Sequence, residues 1–525
     1  MANSWKGRWR RIELRSELRS VASTGGTSLH VGYSPVAPDT PDTPASPNTP
    51  ASARAWLRFD CFDADPHWHV DPAGRNETHP LDERGDPIGE VFGLIVSALP
   101  SLLERAGADD SVVADAREAA ADAEWTALLR EAECAMRHRP AILDELDIRQ
   151  LEQRRSEKWH TYPRDVLPVW VAEMDFPIAA PIQAELRRFT ESADVGYPVG
   201  LTDTGLAEVF SEHMHERFGW RPEPSRVEIL SEVVQGLYLA LLAFAEPGQG
   251  AIVQTPIYPP FLHSVQETGR RLVENRLVVR GDRLELDLEG LASCVDAQTR
   301  LLLLCNPHNP SGRVFSRTEL DRIGEIVLEH DLIVVTDEIH GDLVFDDRKH
   351  IPFATLSPDI ARRTVTLSSA SKAFNIPGLR CAVAHFGSDR LHRRFGGLLP
   401  RHVRGGLGLF GIYASIAAWR FGQPWLDEVL PYLQANRDFA DQALHERIPE
   451  IRFMRPDATY LAWLDCSGLG LERSPAAHFM QHGRVALSDG RLFGAGWEQY
   501  ARLNFATSRP ILTEAIERMA KALGR

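Results

Sequence analysis

Three polar groups stand where apolar runs end, and their residue types suit carbonyl chemistry. The segment "LLLLCNPHNPSGRVF" offers Asn306 and Asn309 between prolines, "LIVVTDEIHGD" offers Asp337, Glu338 and His340, and "VTLSSASKAF" offers Ser369, Ser371 and Lys372. Lysine is scarce in this chain: Lys6, Lys158, Lys349, Lys372 and Lys521 stand against fifty-three arginines. Arginine stays protonated in proteins, whereas a lysine amine can lose its proton and attack a carbonyl carbon. Each group alone has a structural explanation. Asp337 or the serines could cap a helix, and Asn309-Pro310 could be a turn. All three in order, at intervals of about thirty residues, point to one site.

Such groups need a scaffold that brings strand ends together. From about residue 145, short apolar runs ("GAIVQTP", "RLLLLCNP", "LIVVTDE", "TVTLSSAS", "CAVAHFG") alternate with helix-length stretches such as 316–329. That alternation predicts an α/β fold with a mostly parallel sheet and ligands at the carboxyl ends of its strands. Upstream the texture differs. Residues 1–20 carry six basic and two acidic side chains and read as a basic arm. Residues 21–53, rich in Pro, Thr, Ser and Ala, read as a disordered linker. Residues 54–140 read as a small acidic α+β module, with Leu57, Phe59 and Cys61 alternating as in a strand, "HWHVDP" a second strand, and helices near 88–105 and 111–137. Asp60, Asp63, Asp65, His67, His69 and Asp71 crowd its first segment. Solvated polar side chains explain them better than a metal site.

Composition narrows the function. The chain has 525 residues, 43% hydrophobic and 25% charged, as in a soluble globular protein of two or three domains. A net charge of -15 argues against nucleic-acid binding. Six scattered cysteines without a CxxC pair fit a reducing compartment, and the cytoplasm is the expected location. The basic N-terminus lacks the apolar stretch of a secretory signal, and no apolar run approaches the ~20 residues of a membrane span.

The strand-end constellation resembles the fold type I pyridoxal-phosphate (PLP) enzymes, the aspartate-aminotransferase-like class I/II family. The resemblance implies a large domain with a mostly parallel sheet, about 190–420, and a smaller α+β domain from about 145–189 and 421–525. It implies pyridoxal 5'-phosphate as cofactor, Lys372 as the Schiff-base lysine and proton carrier, and Asp337 as the carboxylate against the pyridine nitrogen. Asn309 and His340 would lie near the 3'-oxygen. Ser369, Ser371, Arg380 and the backbone N–H groups of Val233 and Val234 would hold the phosphate, assisted by the helix dipole. Tyr258 would stack on the ring. Tyr197, in "DVGYP", would reach the phosphate of a neighbouring subunit, which implies a homodimer with shared active sites. Arg502, in "YARLNFA", would hold the substrate carboxylate together with Asn309.

Within that family, "SEKWHTYPRDVLPVWVAEMDFPIAAPI", "NPHNPSGRVF", "DEIHGDLVF", "SASKAFNIPGL" and "TYLAWLDC" are similar to the MalY/PatB-like cystathionine β-lyases, over about residues 145–525. Glu173, Pro259 and Ala458 depart from the subgroup's usual aspartate, tyrosine and glycine. The resemblance implies α,β-elimination on cystathionine or a related cysteine S-conjugate, giving a thiol, pyruvate and ammonia. An aminotransferase would use the same residues. A remoter alternative is a PLP-sensing regulator with an aminotransferase-like domain, but the acidic N-terminal module would repel DNA.

Overall fold

The computed structural model describes residues 4–33, 55–137 and 143–525, apart from 10–11, 22–23, 63–66, 71–75, 82–86, 120–121, 199, 201–202, 399 and 401–405. Contacts divide the chain into two compact units, Met1–Arg139 and Pro140–Arg525.

The first unit is a six-stranded antiparallel sheet in sequential order: β1 (Ser4–Trp9), β2 (Ile12–Val21), β3 (Thr24–Tyr33), β4 (Ala55–Phe62), β5 (His67–Val70) and β6 (Glu77–Pro80). Three helices follow, α1 (Pro87–Arg105), α2 (Asp110–Ala119) and α3 (Ala123–Arg137). This corrects two expectations. In the stretch expected as a basic arm, residues 4–9 and 12–20 are strand, and the linker expected over 21–53 contains the strand Thr24–Tyr33. Ile12 and Leu14 on β2, and Leu29 and Val31 on β3, alternate onto one face. They join Leu57, Phe59, Trp68 and Val70 in a core shared with Val91, Ile95 and Leu103 of α1. Burial of that stripe offsets the ordering entropy that the polar composition suggested would win. Residues 34–54 lie outside the described residues, as do Asp63, Asp65 and Asp71. His69 is engaged by Arg58 at 2.7 Å and Asn76 at 2.8 Å. Among the described residues no group of three His, Cys, Asp or Glu side chains could hold a metal ion.

The second unit is built on a seven-stranded mixed sheet. Its strands are β7 (Val227–Leu230), β8 (Gly250–Thr255), β9 (Arg271–Arg276), β10 (Thr299–Cys305), β11 (Ile333–Asp337), β12 (Thr364–Ser368) and β13 (Ala382–Phe386), in the order β9-β8-β10-β11-β12-β13-β7. The first five in that order pair in parallel, and β13 runs antiparallel to both its neighbours. Leu301 to Leu304 are buried on both faces, which is why this strand is a continuous apolar run. Register sets Cys305 beside Asp337, and Asp337 beside Leu367, so three carboxyl strand ends lie side by side. Helix α4 (Val233–Phe244) packs closely on β12: a Cβ on Gly236 would stand 2.8 Å from Leu367 Cδ2. A second sheet of Arg452–Met454, Leu461–Asp465, Tyr500–Asn504 and Ser488–Asp489 carries Arg502 on the strand Tyr500–Asn504.

Candidate active site

A cavity of about 380 Å³ opens at the carboxyl ends of β8, β10, β11 and β12. Lys372, Asp337, Asn309, Tyr258, His340, Ser369, Ser371, Arg380, Val233 and Val234 all line it. Arg502 reaches it through Asn309, whose Oδ1 accepts from Arg502 Nη1 at 2.9 Å. Tyr197 is not brought there: it follows the helix Ala180–Ser192 and is fully exposed.

Asp337 ends β11 and is 5% exposed. Its Oδ1 accepts the Ile339 N–H at 3.1 Å. Burial first, with the nearby Glu338 carboxylate adding to it, pushes its pKa up to about 7. Lys372 Nζ donates to the Ala172 carbonyl at 2.9 Å. Burial, and next the Arg502 guanidinium, lower this lysine to about 8, so that an appreciable fraction is a neutral amine near neutral pH. His340 is lowered to about 3 by burial, then by Lys372 and Arg502, and is therefore neutral. Its Nδ1 is buried without a partner.

The other end of the cavity has the groups that an anion would need. Helix α4 begins there, and its N-cap, Glu232, makes no side-chain cap, so the N–H groups of Val233 and Val234 point out of the helix end unused by it. Ser231, Ser369, Ser371 and Arg380 surround the same end. Ser369 Oγ donates to the Cys381 carbonyl at 2.6 Å and accepts the Ser371 N–H at 3.1 Å. Arg380 pairs with Glu232 and holds a left-handed backbone, φ 52°.

Arg502 is 4% exposed and lies over the Phe493 ring at 5.0 Å. Burial lowers it to about 10, which leaves it charged. Its Nη2 donates to the Trp170 carbonyl and to Ser488 Oγ, both at 3.1 Å. The structure adds wall residues that the sequence did not mark: Ser156, Glu157, Ala172, Ser231 and Glu232. Tyr460 joins them indirectly, its hydroxyl donating to the Ala172 carbonyl at 3.0 Å. Glu173, noted for its departure from the subgroup, is also in the wall.

This donor set fits pyridoxal 5'-phosphate. A buried carboxylate without a cationic hydrogen-bond partner suits a protonated pyridine nitrogen. The uncapped helix end with its hydroxyls and guanidinium suits a phosphate, and a partially neutral amine suits an aldehyde.

Comparison with known proteins agrees. The family "Aminotransferase class I and II" matches residues 196–519, and a domain of unknown function, DUF7700, matches residues 10–132. Cystathionine beta-lyase PatB of Bacillus subtilis is 40% identical over 68% of this chain and 93% of its own length. The crystal structure of a putative PLP-dependent beta-cystathionase from Corynebacterium diphtheriae superposes with a TM-score of 0.69 at 34% identity, covering 72% of this chain and 98% of that one. The PLP-bound C-S lyase from Staphylococcus hominis gives a TM-score of 0.68 at 27% identity, covering 73% and 98%. The shared scaffold is the fold type I of PLP enzymes, and this chain belongs to the aminotransferase class I and II family.

Proposed function

We propose that the chain is a PLP-dependent carbon–sulfur β-lyase that cleaves cystathionine or a related cysteine S-conjugate to a thiol, pyruvate and ammonia. The observation that carries this is the convergence of Lys372, Asp337 and the Asn309–Arg502 pair at one cavity, in a chain with relatives at 35–40% identity named cystathionine beta-lyase.

Each residue then has a task. Lys372 would hold the cofactor covalently through its aldehyde, and Asp337 would keep the pyridine nitrogen protonated. Tyr258 would pack on the ring, and Asn309 and His340 would serve the 3'-oxygen. The N–H groups of Val233 and Val234, with Ser369, Ser371 and Arg380, would hold the phosphate. Arg502 and Asn309 bind the substrate carboxylate, which fixes the direction of the Cα–H bond. When bound, the cofactor supplies an electron sink for the pair left by Cα–H cleavage. Freed when the substrate amine replaces it at the aldehyde carbon, Lys372 Nζ would take the Cα proton, for which a pKa of about 8 is well placed. The Cβ–S bond then breaks, the sulfur leaves with the bonding pair, and water releases pyruvate and ammonia.

The working unit in this reading is a homodimer. The fully exposed Tyr197, beside the exposed Val195, is available to the phosphate site of a second copy. A cytoplasmic location is supported by the free state of Cys61, Cys294, Cys305, Cys381 and Cys466. Among the described residues no helix is long and apolar enough to cross a membrane.

The test is product analysis with PLP and L-cystathionine, with and without a 2-oxo acid, alongside Lys372→Ala. Pyruvate and thiol without the acceptor, absent in the variant, support the lyase. A new amino acid formed only with the acceptor makes the chain an aminotransferase.

A further inference from the structure

Beneath the cavity wall lies an ion pair that the reaction itself does not use. Lys158 Nζ stands 2.8 Å from Asp175 Oδ2, and the two side chains are 0% and 1% exposed. Burying two charges is expensive, and such a pair seldom stabilises a fold more than an apolar substitute of the same volume. The pair is tied in on both sides. Lys158 Nζ donates to the Glu173 carbonyl at 3.1 Å, and Trp159 Nε1 donates to Asp175 Oδ1 at 2.8 Å.

What lies between these ties is the strip 170–175, which belongs to no helix or strand. Its carbonyls are the acceptors on which the reacting groups rest. The Ala172 carbonyl accepts from Lys372 Nζ at 2.9 Å and from the Tyr460 hydroxyl at 3.0 Å. The Trp170 carbonyl accepts from Arg502 Nη2 at 3.1 Å. Asn504 Nδ2 donates to the Val171 and Glu173 carbonyls at 2.6 and 2.7 Å. A strip without a regular backbone ladder keeps its position through individual ties, and others share the load: the Asp175 N–H donates to the Ala506 carbonyl at 2.9 Å, the Met174 N–H to Asn375 Oδ1 at 2.9 Å, and Arg154 Nη2 to the Asp175 carbonyl at 2.7 Å.

We infer that Lys158 and Asp175 are positioning residues for Lys372 and Arg502: the buried pair pins the strip 170–175, so that the Ala172 carbonyl holds the lysine amine and the Trp170 carbonyl holds the guanidinium at the substrate side of the cavity. The inference rests on Lys372 being the catalytic base. Once substrate has displaced the amine, the Ala172 carbonyl gives it a fixed acceptor, which directs its lone pair. Arg502 is also held by Asn309 and Ser488, so the pin matters less to carboxylate binding than to proton transfer.

The test uses Lys158→Met, Asp175→Asn and the double variant Lys158→Met/Asp175→Leu in the full chain. The double variant leaves no lone buried charge. Two quantities are read for each. The first, on cofactor-stripped protein, is the pH midpoint at which Lys372 reacts with an amine-selective acylating reagent, followed by peptide mass spectrometry. The second is kcat and KM on L-cystathionine with PLP restored. The wild-type midpoint is expected near about 8. Loss of the Ala172 acceptor, which favours the ammonium, lowers the midpoint by about half a unit. In the same variants kcat falls about tenfold or more with a smaller change in KM, because a displacement of about 1 Å is enough for such losses. The double variant recovers the thermal stability that the single variants lose, yet keeps the lowered midpoint and kcat. Folded variants with the wild-type midpoint and kcat overturn the inference and leave the pair a purely structural one. If the single and double variants do not fold, Trp159→Phe, which removes one donor to Asp175 and keeps both charges, is read for the same two outcomes. The midpoint does not depend on the substrate, so an error in the proposed reaction and an error in this inference are distinguishable.

Discussion

Asp337→Asn offers a prediction whose size follows from burial. In the cofactor-free protein the Asp337 carboxyl is held near about 7 rather than its ordinary 3.8. Below about pH 4 the group is protonated in both folded and unfolded chains and contributes no difference. Between there and about pH 7 the unfolded chain ionises while the folded one keeps its proton, so stability falls as pH rises. Above about pH 7 the loss is constant at about 4 kcal/mol, roughly three pKa units at ~1.36 kcal/mol each. The amide cannot ionise and escapes this cost. Urea unfolding of the stripped catalytic unit, followed by tryptophan fluorescence, should therefore show the variant more stable than wild type by about 2 kcal/mol near pH 5 and about 4 kcal/mol near pH 8. With saturating PLP the order reverses, because a protonated ring nitrogen offsets the burial of the aspartate but not that of the amide. Turnover falls by about 10²–10³ or more with the loss of that charge. A stability gain no larger near pH 8 than near pH 5, or a variant less stable at both, would refute the account of Asp337 as a carboxylate burdened by burial.

Other expectations follow from the same geometry. Arg502→Lys keeps a charge but loses the two-pronged fork, so kcat/KM should fall about 10- to 100-fold, mainly through KM, in steady-state assays. Removal of residues 1–139 should leave the cofactor absorbance and kcat near those of the full chain, since each unit has its own apolar core; loss of PLP binding would refute independence of the catalytic unit. Tyr197→Phe should weaken PLP binding about tenfold in the assembled dimer, the worth of one hydrogen bond to a charged group, and an unchanged affinity in equilibrium dialysis would remove Tyr197 from the site.

The candidate site of this protein was legible because its local pattern is strong. Apolar runs that end abruptly in Asn, Asp or Lys mark both a buried parallel strand and the place where its carboxyl end meets a ligand. The scarcity of lysine singled out Lys372 before any fold was known. The N-terminal strands were less legible. In "IELRSELRSV" and "TGGTSLHVGY" the apolar stripe is thin, and the polar composition outweighed it until pairing over ten residues of β2 and β3 supplied the missing order. The supports of the site left no signature. Ala172 acts through its carbonyl, which every residue has, and it meets Lys372 from 200 positions away. Lys158 and Asp175 could be seen as a lysine and an aspartate, but not as partners. Sequence by itself determined which side chains are candidates for the chemistry, because their types are specific to it. Tertiary structure alone decided which backbone groups hold them in place, because hydrogen bonds between distant segments depend on position and not on residue type.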